Sequence, residues 1–168
     1  IFQLLQTVAA DAAVFRQLKV ETENGVLTLG LSIIAGKVEQ ICVNMGSPIL
    51  LPNDIPVNVT GRQAVGIPLK VDGTNLLMTC VSMGNPHAVF YCNNVQAIEL
   101  EKVGPLIENL EIFPQRVNAH FVQTVSENEV IMRTWERGSG ITLACGTGAS
   151  AVCVAGVLAS KTGEQILA

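Results

Sequence analysis

The fold and the chemistry of this chain both depend on residues 135–150, which read Trp135-Glu136-Arg137-Gly138-Ser139-Gly140-Ile141-Thr142-Leu143-Ala144-Cys145-Gly146-Thr147-Gly148-Ala149-Ser150. Cys145 lies between two small residues, and the Gly-Thr-Gly after it opens a run of small apolar residues. This pattern predicts a thiol at the first turn of a buried helix. Unpaired backbone N–H groups and the helix dipole favour a thiolate there and can also hold a carboxylate. Cysteine chemistry on an anionic substrate is therefore the leading hypothesis.

The length and composition indicate a piece of a larger molecule. The chain has 168 residues, which suits one domain or slightly more. Charged residues make up 14% and hydrophobic residues 49%, whereas soluble domains carry about 25% charge. The chain starts at Ile1 without a methionine and stops in an apolar run at Ala168. We expect the middle of a longer protein, with part of its surface covered by the rest.

Charge and hydropathy exclude several classes of partner. The net charge is −4, and the ten lysines and arginines are scattered along the chain. Binding to a phosphate backbone needs a basic face, so no nucleic-acid partner is expected. No apolar run reaches about 20 residues, so no transmembrane helix and no membrane partner are expected.

The cysteines indicate a reducing compartment. Their number is five, which is odd, and no pair forms a CxxC motif. The chain has only two histidines, so neither a disulfide framework nor a metal site fits. We expect a cytoplasmic protein, or a plastid protein if the source is a plant. Cys42, Cys80, Cys92 and Cys153 are expected to be small core hydrophobes.

No cofactor is expected. The glycines around Thr147 lack the spacing of a GxGxxG dinucleotide motif, because Ser150 and Ala151 follow. No lysine lies in the motifs described here, so pyridoxal phosphate has no obvious anchor.

Apolar periodicity predicts the secondary structure in outline. Helices are predicted over 4–18, 100–109 and 146–160. Hairpins are predicted over 19–33, around Asn24-Gly25, and over 121–136, around Glu127-Asn128. Further strands are predicted over 40–45, 76–83 and 88–92, and residues 50–66 are predicted to be rich in loops. The last helix is apolar on all sides, which predicts burial on every side within a wrap of antiparallel strands.

Two further motifs supply candidate site residues. Glu136 and Arg137 end a strand shortly before Cys145, where Arg137 would suit a substrate carboxylate and Glu136 a substrate ammonium. The turn Asn85-Pro86-His87 lies between two apolar strands. The proline fixes that turn and leaves Asn85 and His87 at its rim.

Four blocks of this chain together resemble the diaminopimelate epimerase family. They are Val43-Asn44-Met45-Gly46-Ser47-Pro48, Met83-Gly84-Asn85-Pro86-His87-Ala88-Val89, Phe113-Pro114-Gln115-Arg116-Val117-Asn118, and the stretch from Trp135 to Ala149. The resemblance covers essentially the whole chain in order, and the Ala-Cys-Gly-Thr-Gly-Ala block is highly specific. Proline racemases and phenazine-type isomerases match these blocks less well.

The resemblance implies a fold and a reaction. The fold is α+β, with strands wrapped round a central helix in two pseudo-symmetric domains. Here residues 1–45 would be the end of the first domain and 46–168 the second, without its last strands. The reaction is cofactor-independent interconversion of LL- and meso-diaminopimelate, in lysine and peptidoglycan biosynthesis, by two cysteines that face each other across the substrate. A homodimer is compatible with this assignment.

The resemblance also assigns roles to individual residues. Cys145 matches one of the two catalytic cysteines, and His87 and Glu136 match positions that assist proton transfer. The substrate-binding positions it implies are Asn85, Asn118, Glu136, Arg137, Gly146 and Thr147. The family's first cysteine belongs to a block that should precede Ile1, so these 168 residues alone are expected to be inactive.

Three alternatives remain open from the residues. One is a racemase or isomerase of another substrate. Another is a hydrolase that uses Cys145 as a nucleophile, which would leave a covalent acyl intermediate. The last is a non-catalytic fragment that retains the fold and binds diaminopimelate without turnover.

Overall fold

The computed structural model of the chain describes residues 14–22 and 25–164. The chain divides into two compact units, with the boundary between Gly46 and Ser47. The first unit is a three-stranded antiparallel sheet in the order β1-β2-β3. Its strands are β1 Val14–Thr22, β2 Gly25–Ile34 and β3 Lys37–Val43.

The predicted first hairpin is confirmed, whereas the predicted first helix is wrong for those of its residues that the structure describes. Strands β1 and β2 pair in register from Val14↔Ile33 to Thr22↔Gly25. The helix predicted over 4–18 is a strand from Val14 onward, and its residues 4–13 lie outside the described part, as does Asn24 of the predicted turn. Apolar residues four apart, such as Val14 and Leu18, share a face in a helix and also in a strand, so the spacing misled the prediction.

A second tight turn in this unit was not predicted. Ala35 and Gly36 both have positive φ, 49° and 77°, and join β2 directly to β3. Two positive φ values are typical of a type I′ hairpin turn, which is usually marked by Asn-Gly rather than Ala-Gly. The strand predicted over 40–45 therefore starts earlier, at Lys37.

The second unit contains a six-stranded sheet in the order β4-β5-β6-β7-β8-β9. Its strands are β4 Ile67–Val71, β5 Thr74–Ser82, β6 Pro86–Tyr91, β7 Asn118–Ser126, β8 Glu129–Glu136 and β9 Gly140–Thr142, and its α-helices are α1 Leu100–Glu108 and α2 Gly146–Leu158. The strands predicted over 76–83 and 88–92, the second hairpin and the helix over 100–109 are confirmed. The short edge strands β4 and β9 were not predicted. Residues 50–66 are free of helix and strand, as predicted.

The sheet is mixed rather than wholly antiparallel, which corrects the prediction. Strands β6 and β7 are parallel, with His87 opposite Asn118. A parallel pair needs a long crossover, and here the crossover carries a 3₁₀ turn over Val95–Ala97 and helix α1. Because β8 runs antiparallel to β7, the starts of β6 and β7 and the end of β8 lie at one edge of the sheet.

The two helices pack on opposite faces of this sheet. Alternate residues of β6 and β7, including Phe90 and Phe121, form a core with Leu100 and Ile107 of α1. The other residues of these strands face α2; the hydroxyl of Tyr91, for example, donates to the carbonyl of Val152 at 3.1 Å. The fold class is α+β, as predicted.

Helix α2 is buried on one side only, not on every side. Its buried residues share one stripe with helical spacing: Gly148, Ala151, Val152, Ala155 and Gly156. Val157 on another side is 42% exposed. The composition is apolar all round, but within residues 47–164 the helix is covered mainly by the sheet, with Thr162 against Gly156 near its end. A composition of this kind therefore did not predict how many sides are covered.

Candidate active site

Cys145 is the N-cap residue of α2. Its backbone is extended, with φ −144° and ψ 100°, and its carbonyl accepts the first helical hydrogen bond from Ala149 N at 2.8 Å. The sulfur lies 3.6 Å from the hydroxyl of Thr147. The thiol is half-buried and lines a cleft of about 450 Å³ together with Met132, Thr134 and other residues. The predicted position at a helix start is confirmed.

The two glycines at this helix start have different surroundings, because Gly146 faces open space and Gly148 is closely packed. A Cβ on Gly146 would meet no heavy atom within 4 Å, so the backbone there is open to an approaching group. A Cβ on Gly148 would lie 2.5 Å from Cε1 of His120 and 3.0 Å from Sγ of Cys145. The glycine at 148 therefore lets an imidazole ring pack directly behind the thiol.

His120 is a site residue that the sequence motifs did not indicate. It lies on β7, is fully buried, and its Nε2 is 2.8 Å from Nδ1 of His87. His87 is also fully buried, and its Nε2 is 2.9 Å from Oδ1 of Asn85. This series of hydrogen bonds ends at the hydroxyl of Thr134, which lies 3.0 Å from Nδ1 of His120. A histidine two residues after Asn118, on the same face of a strand, was the available signal.

Both imidazoles are neutral at physiological pH. Burial, together with the charge of Arg137, lowers the pKa of His87 to about 4. Burial, followed by the proximity of His87, lowers the pKa of His120 to about 3. Desolvation penalises the charged form of a histidine, so the pair stays uncharged beside Cys145.

These histidines make the fold sensitive to acid. Their pKa values lie below the ordinary 6.5, so the unfolded chain binds more protons once the pH falls below that value. We expect the free energy of unfolding to be highest above pH 6.5. Toward pH 4 it should fall by up to about 1.4 kcal/mol per pH unit for each histidine. Urea unfolding across this range measures the slope. His120→Gln should make the slope shallower, and an unchanged slope would contradict the assignment.

Asn118 connects the turn Asn85-Pro86-His87 to the strand end at Glu136-Arg137. Its Nδ2 donates to the carbonyl of Pro86 at 2.9 Å, and its Oδ1 accepts from the backbone N–H of Arg137 at 3.0 Å. Arg137 Nη1 donates to the carbonyl of Gln115 at 2.9 Å. Glu136 accepts from the hydroxyl of Thr142 at 2.5 Å. The structure thus brings Asn118 and Arg137 to the edge of the sheet where β6 begins.

The predicted site residues form two neighbouring groups. Cys145, Gly146 and Thr147 form the helix start, with His87 and Asn85 reached through His120. Asn118, Glu136 and Arg137 form the second group at the sheet edge. Within the described residues, no hydrogen bond joins the side chain of Glu136 or Arg137 directly to Cys145.

A buried carboxylate supports the turn that carries Arg137, and it too was not predicted. Glu108, at the end of α1, is 5% exposed. It accepts from Trp135 Nε1 at 2.7 Å, from Gly138 N at 3.0 Å and from Arg116 Nη1 at 3.2 Å. Burial raises the pKa of Glu108, but these hydrogen bonds outweigh it and the net shift is downward. Glu108 therefore binds as an anion.

Replacing Glu108 by glutamine is expected to lower the free energy of unfolding by about 1–3 kcal/mol. An amide offers only one acceptor oxygen, so the N–H of Trp135 or of Gly138 loses its partner. Urea unfolding measures the change, and Glu111→Gln is the matched control, because Glu111 is exposed. Equal effects of the two substitutions would show that the buried contacts contribute nothing.

The remaining cysteines differ in how deeply they are buried. Cys80 is a core residue, as predicted, and burial raises its pKa to about 12. Cys92 and Cys153 are half-buried, and burial raises the pKa of each. The core prediction is wrong for Cys42, which is exposed like its neighbours in β3, because the described elements of this unit form one sheet with no second layer over it.

Within residues 14–22 and 25–164, no group of three or more His, Cys, Asp or Glu side chains is placed to hold a metal ion. Among the helices described, none combines the length and the apolar character needed to cross a membrane.

Comparison with known proteins gives a consistent family match. The model of the family described as Diaminopimelate epimerase matches residues 79–167. The chain is 50% identical to the diaminopimelate epimerase of Acetivibrio thermocellus over 141 residues, which is 84% of this chain and 50% of that protein. It is 41% identical to that of Methanothermobacter thermautotrophicus over 152 residues, 90% of this chain and 53% of the relative. The chain therefore spans about half the length of these relatives.

A solved structure shares the fold. The crystal structure of a hydroxyproline epimerase from Agrobacterium vitis, with bound trans-4-hydroxy-L-proline, aligns with a TM-score of 0.62. The alignment covers 89% of this chain and 46% of that one, at 13% sequence identity. At this identity the likeness concerns the fold alone.

Proposed function

This chain belongs to the diaminopimelate epimerase family, and we propose that the whole protein interconverts LL- and meso-diaminopimelate by proton transfer at the α-carbon. The observation that carries the proposal is the thiol of Cys145 at the open start of α2, in a cleft. Backbone N–H groups of that helix start favour a thiolate, which is the form that can remove a proton.

The reaction needs two groups on opposite faces of the substrate. One takes the α-proton while the other returns a proton to the opposite face, so one thiolate and one thiol are required in each direction. We propose Cys145 as one of the pair. None of the other four cysteines lies at the start of a helix in the part of the chain that the structure describes. We therefore propose that these 168 residues alone do not catalyse the reaction.

Substrate recognition follows from the two groups of residues. The N–H groups of Gly146 and Thr147 would hold a carboxylate and stabilise the charge that develops as the proton leaves. Asn85, Asn118, Glu136 and Arg137 would bind the rest of the substrate, with Glu136 suited to an ammonium and Arg137 to a carboxylate.

Two residues are proposed to assist the proton transfer. The Glu136 carboxylate accepts from Thr142 and is half-buried, which keeps it in a fixed orientation. His87 would act as a neutral imidazole, because it is fully buried and its pKa is lowered to about 4 by burial. The reaction needs no cofactor in this scheme.

The wider assignment follows from the family. We propose that residues 1–45 end one epimerase domain, that residues 46–168 belong to a second, and that the protein is a homodimer. Free thiols at all five cysteines suit a reducing compartment. We therefore place the protein in the cytoplasm, or in the plastid if the source is a plant.

Proton exchange in heavy water tests the proposal. The whole protein should incorporate deuterium at the α-carbon of diaminopimelate, measured by proton NMR, and should lose this activity with an analogue that lacks the distal amino group. Equal exchange with the analogue, or exchange with hydroxyproline instead, would favour another racemase. Binding without exchange would favour a non-catalytic relative. The hydrolase alternative is not favoured, because within the described residues the Cys145 sulfur has the hydroxyl of Thr147 as its hydrogen-bond partner and no histidine.

A further inference from the structure

With Oδ1 of Asn85 facing His87, the hydrogen bonds of the histidine pair run in one direction. Oδ1 of Asn85 is an acceptor, so Nε2 of His87 carries the proton that joins them. A neutral imidazole with a protonated Nε2 accepts at Nδ1, so His120 must donate from its own Nε2. His120 then accepts at Nδ1, and the hydroxyl of Thr134 is its donor. The proton positions of the two rings are therefore coupled, and a change at either ring is passed to the other.

The surroundings of the pair keep it uncharged. His120 packs against Gly148 of α2, beside Cys145, and against His87 on the neighbouring strand. The charged group that acts on His87 is Arg137, from the turn after β8. A proton added to either ring would place a positive charge near this guanidinium without a carboxylate among the pair's hydrogen-bond partners. The neutral arrangement is therefore the stable one.

The consequence of this direction appears at Asn85. With its oxygen bound to His87, the asparagine presents its Nδ2 amide as the group that remains for a ligand. Asn85 is half-buried, whereas both histidines are fully buried. A donor amide at that position suits a substrate carboxylate rather than an ammonium.

We propose that His120 is a positioning residue, which holds His87 in the Nε2–H tautomer and thereby orients the amide of Asn85 toward a substrate carboxylate. This inference rests on the proposed function for its substrate. The tautomer of a histidine is set by the hydrogen bond that its other nitrogen makes, so the effect of His120 passes through His87 without contact between His120 and the substrate.

The ring nitrogens can be observed directly. The chain has two histidines, and both belong to the pair. A two-dimensional proton–nitrogen spectrum of this chain, labelled with nitrogen-15, should show each ring neutral, with Nε2 protonated and Nδ1 bare. Protonated Nδ1 on either ring at neutral pH would overturn the proposal whether or not any variant folds.

Two substitutions separate positioning from packing. His120→Gln keeps an amide donor near Nδ1 of His87, whereas His120→Leu fills the space without one. In the whole protein we expect His120→Leu to raise KM for diaminopimelate about tenfold with a smaller change in kcat, and His120→Gln to stay within about threefold of the unsubstituted protein. Equal losses in both variants would show a role in packing only, and the proposal would fail.

The outcomes distinguish this proposal from the function itself. If the unsubstituted whole protein does not act on diaminopimelate, the proposed function fails. The nitrogen spectra of this chain and of its His120→Leu variant then decide whether His120 sets the tautomer of His87. Loss of the Nε2–H tautomer of His87 in His120→Leu supports the proposal, and its persistence there overturns it.

Discussion

Replacing Cys145 by alanine is expected to lower kcat of the whole protein by about 10²–10⁴-fold, the usual contribution of a positioned acid or base. KM should change little, because the carboxylate is proposed to bind to backbone N–H groups rather than to sulfur. The fold should persist, since the side chain is half-buried and makes one polar contact, to Thr147. Epimerisation is followed by the change in optical rotation, and folding by urea unfolding of the same samples.

Cys153→Ala is the matched control for this substitution. Cys153 lies in the same helix and is half-buried like Cys145, but it is not at the helix start. We expect its activity to remain within about twofold of the unsubstituted protein, because Cys153 is not placed to take a proton. A Cys145→Ala protein that keeps its full kcat would remove the chemistry on which the proposed function rests.

A large loss of stability is also expected from Gly104→Ala. A Cβ at this position would run into the indole of Trp135, including Cγ at 2.6 Å. The indole cannot move away easily, because its N–H is bound to Glu108 at 2.7 Å and its far edge lies against Gly140. Alanine before Pro105 is also disfavoured in a helix. Overpacking should exceed the gain of about 1 kcal/mol in helix propensity and cost about 2 kcal/mol net.

Thermal unfolding of this chain measures the effect. A loss of about 2 kcal/mol corresponds to a fall in Tm of about 4–8 °C at this length. Gly146→Ala is the matched control, since it is also a glycine in a helix but has open space at its Cβ. We expect that control to be neutral or slightly stabilising. If both substitutions shift Tm alike, Trp135 does not limit the space at Gly104.

Local patterns predicted the parts of this structure that depend on neighbours in sequence. The hairpin of β1 and β2, the hairpin of β7 and β8, helix α1 and the helix start at Cys145 were all confirmed. Each depends on a turn or cap that lies next to its own strand or helix. The family assignment was confirmed by the match over residues 79–167.

Features that depend on distant partners were not visible in the sequence. His120 and Glu108 are ordinary residues in their local context, and their roles come from contacts 33 and 27 residues away, with His87 and Trp135. The parallel pairing of β6 and β7 depends on the length of the crossover between them. The predicted helix over 4–18 failed at Val14–Leu18 because pairing with β2 favoured a strand there.

The directions of the strands in the second unit place the candidate site residues at one end of the sheet and two of its turns at the other. Asn85, Asn118 and Glu136 all lie where β6 and β7 begin and β8 ends, whereas the turns at 72–73 and 127–128 lie at the other end of the sheet. A fluorophore or a short epitope placed at 72–73 would therefore lie at the opposite end of the strands from the residues proposed to bind the substrate. That turn offers an attachment point for following folding or binding away from those residues.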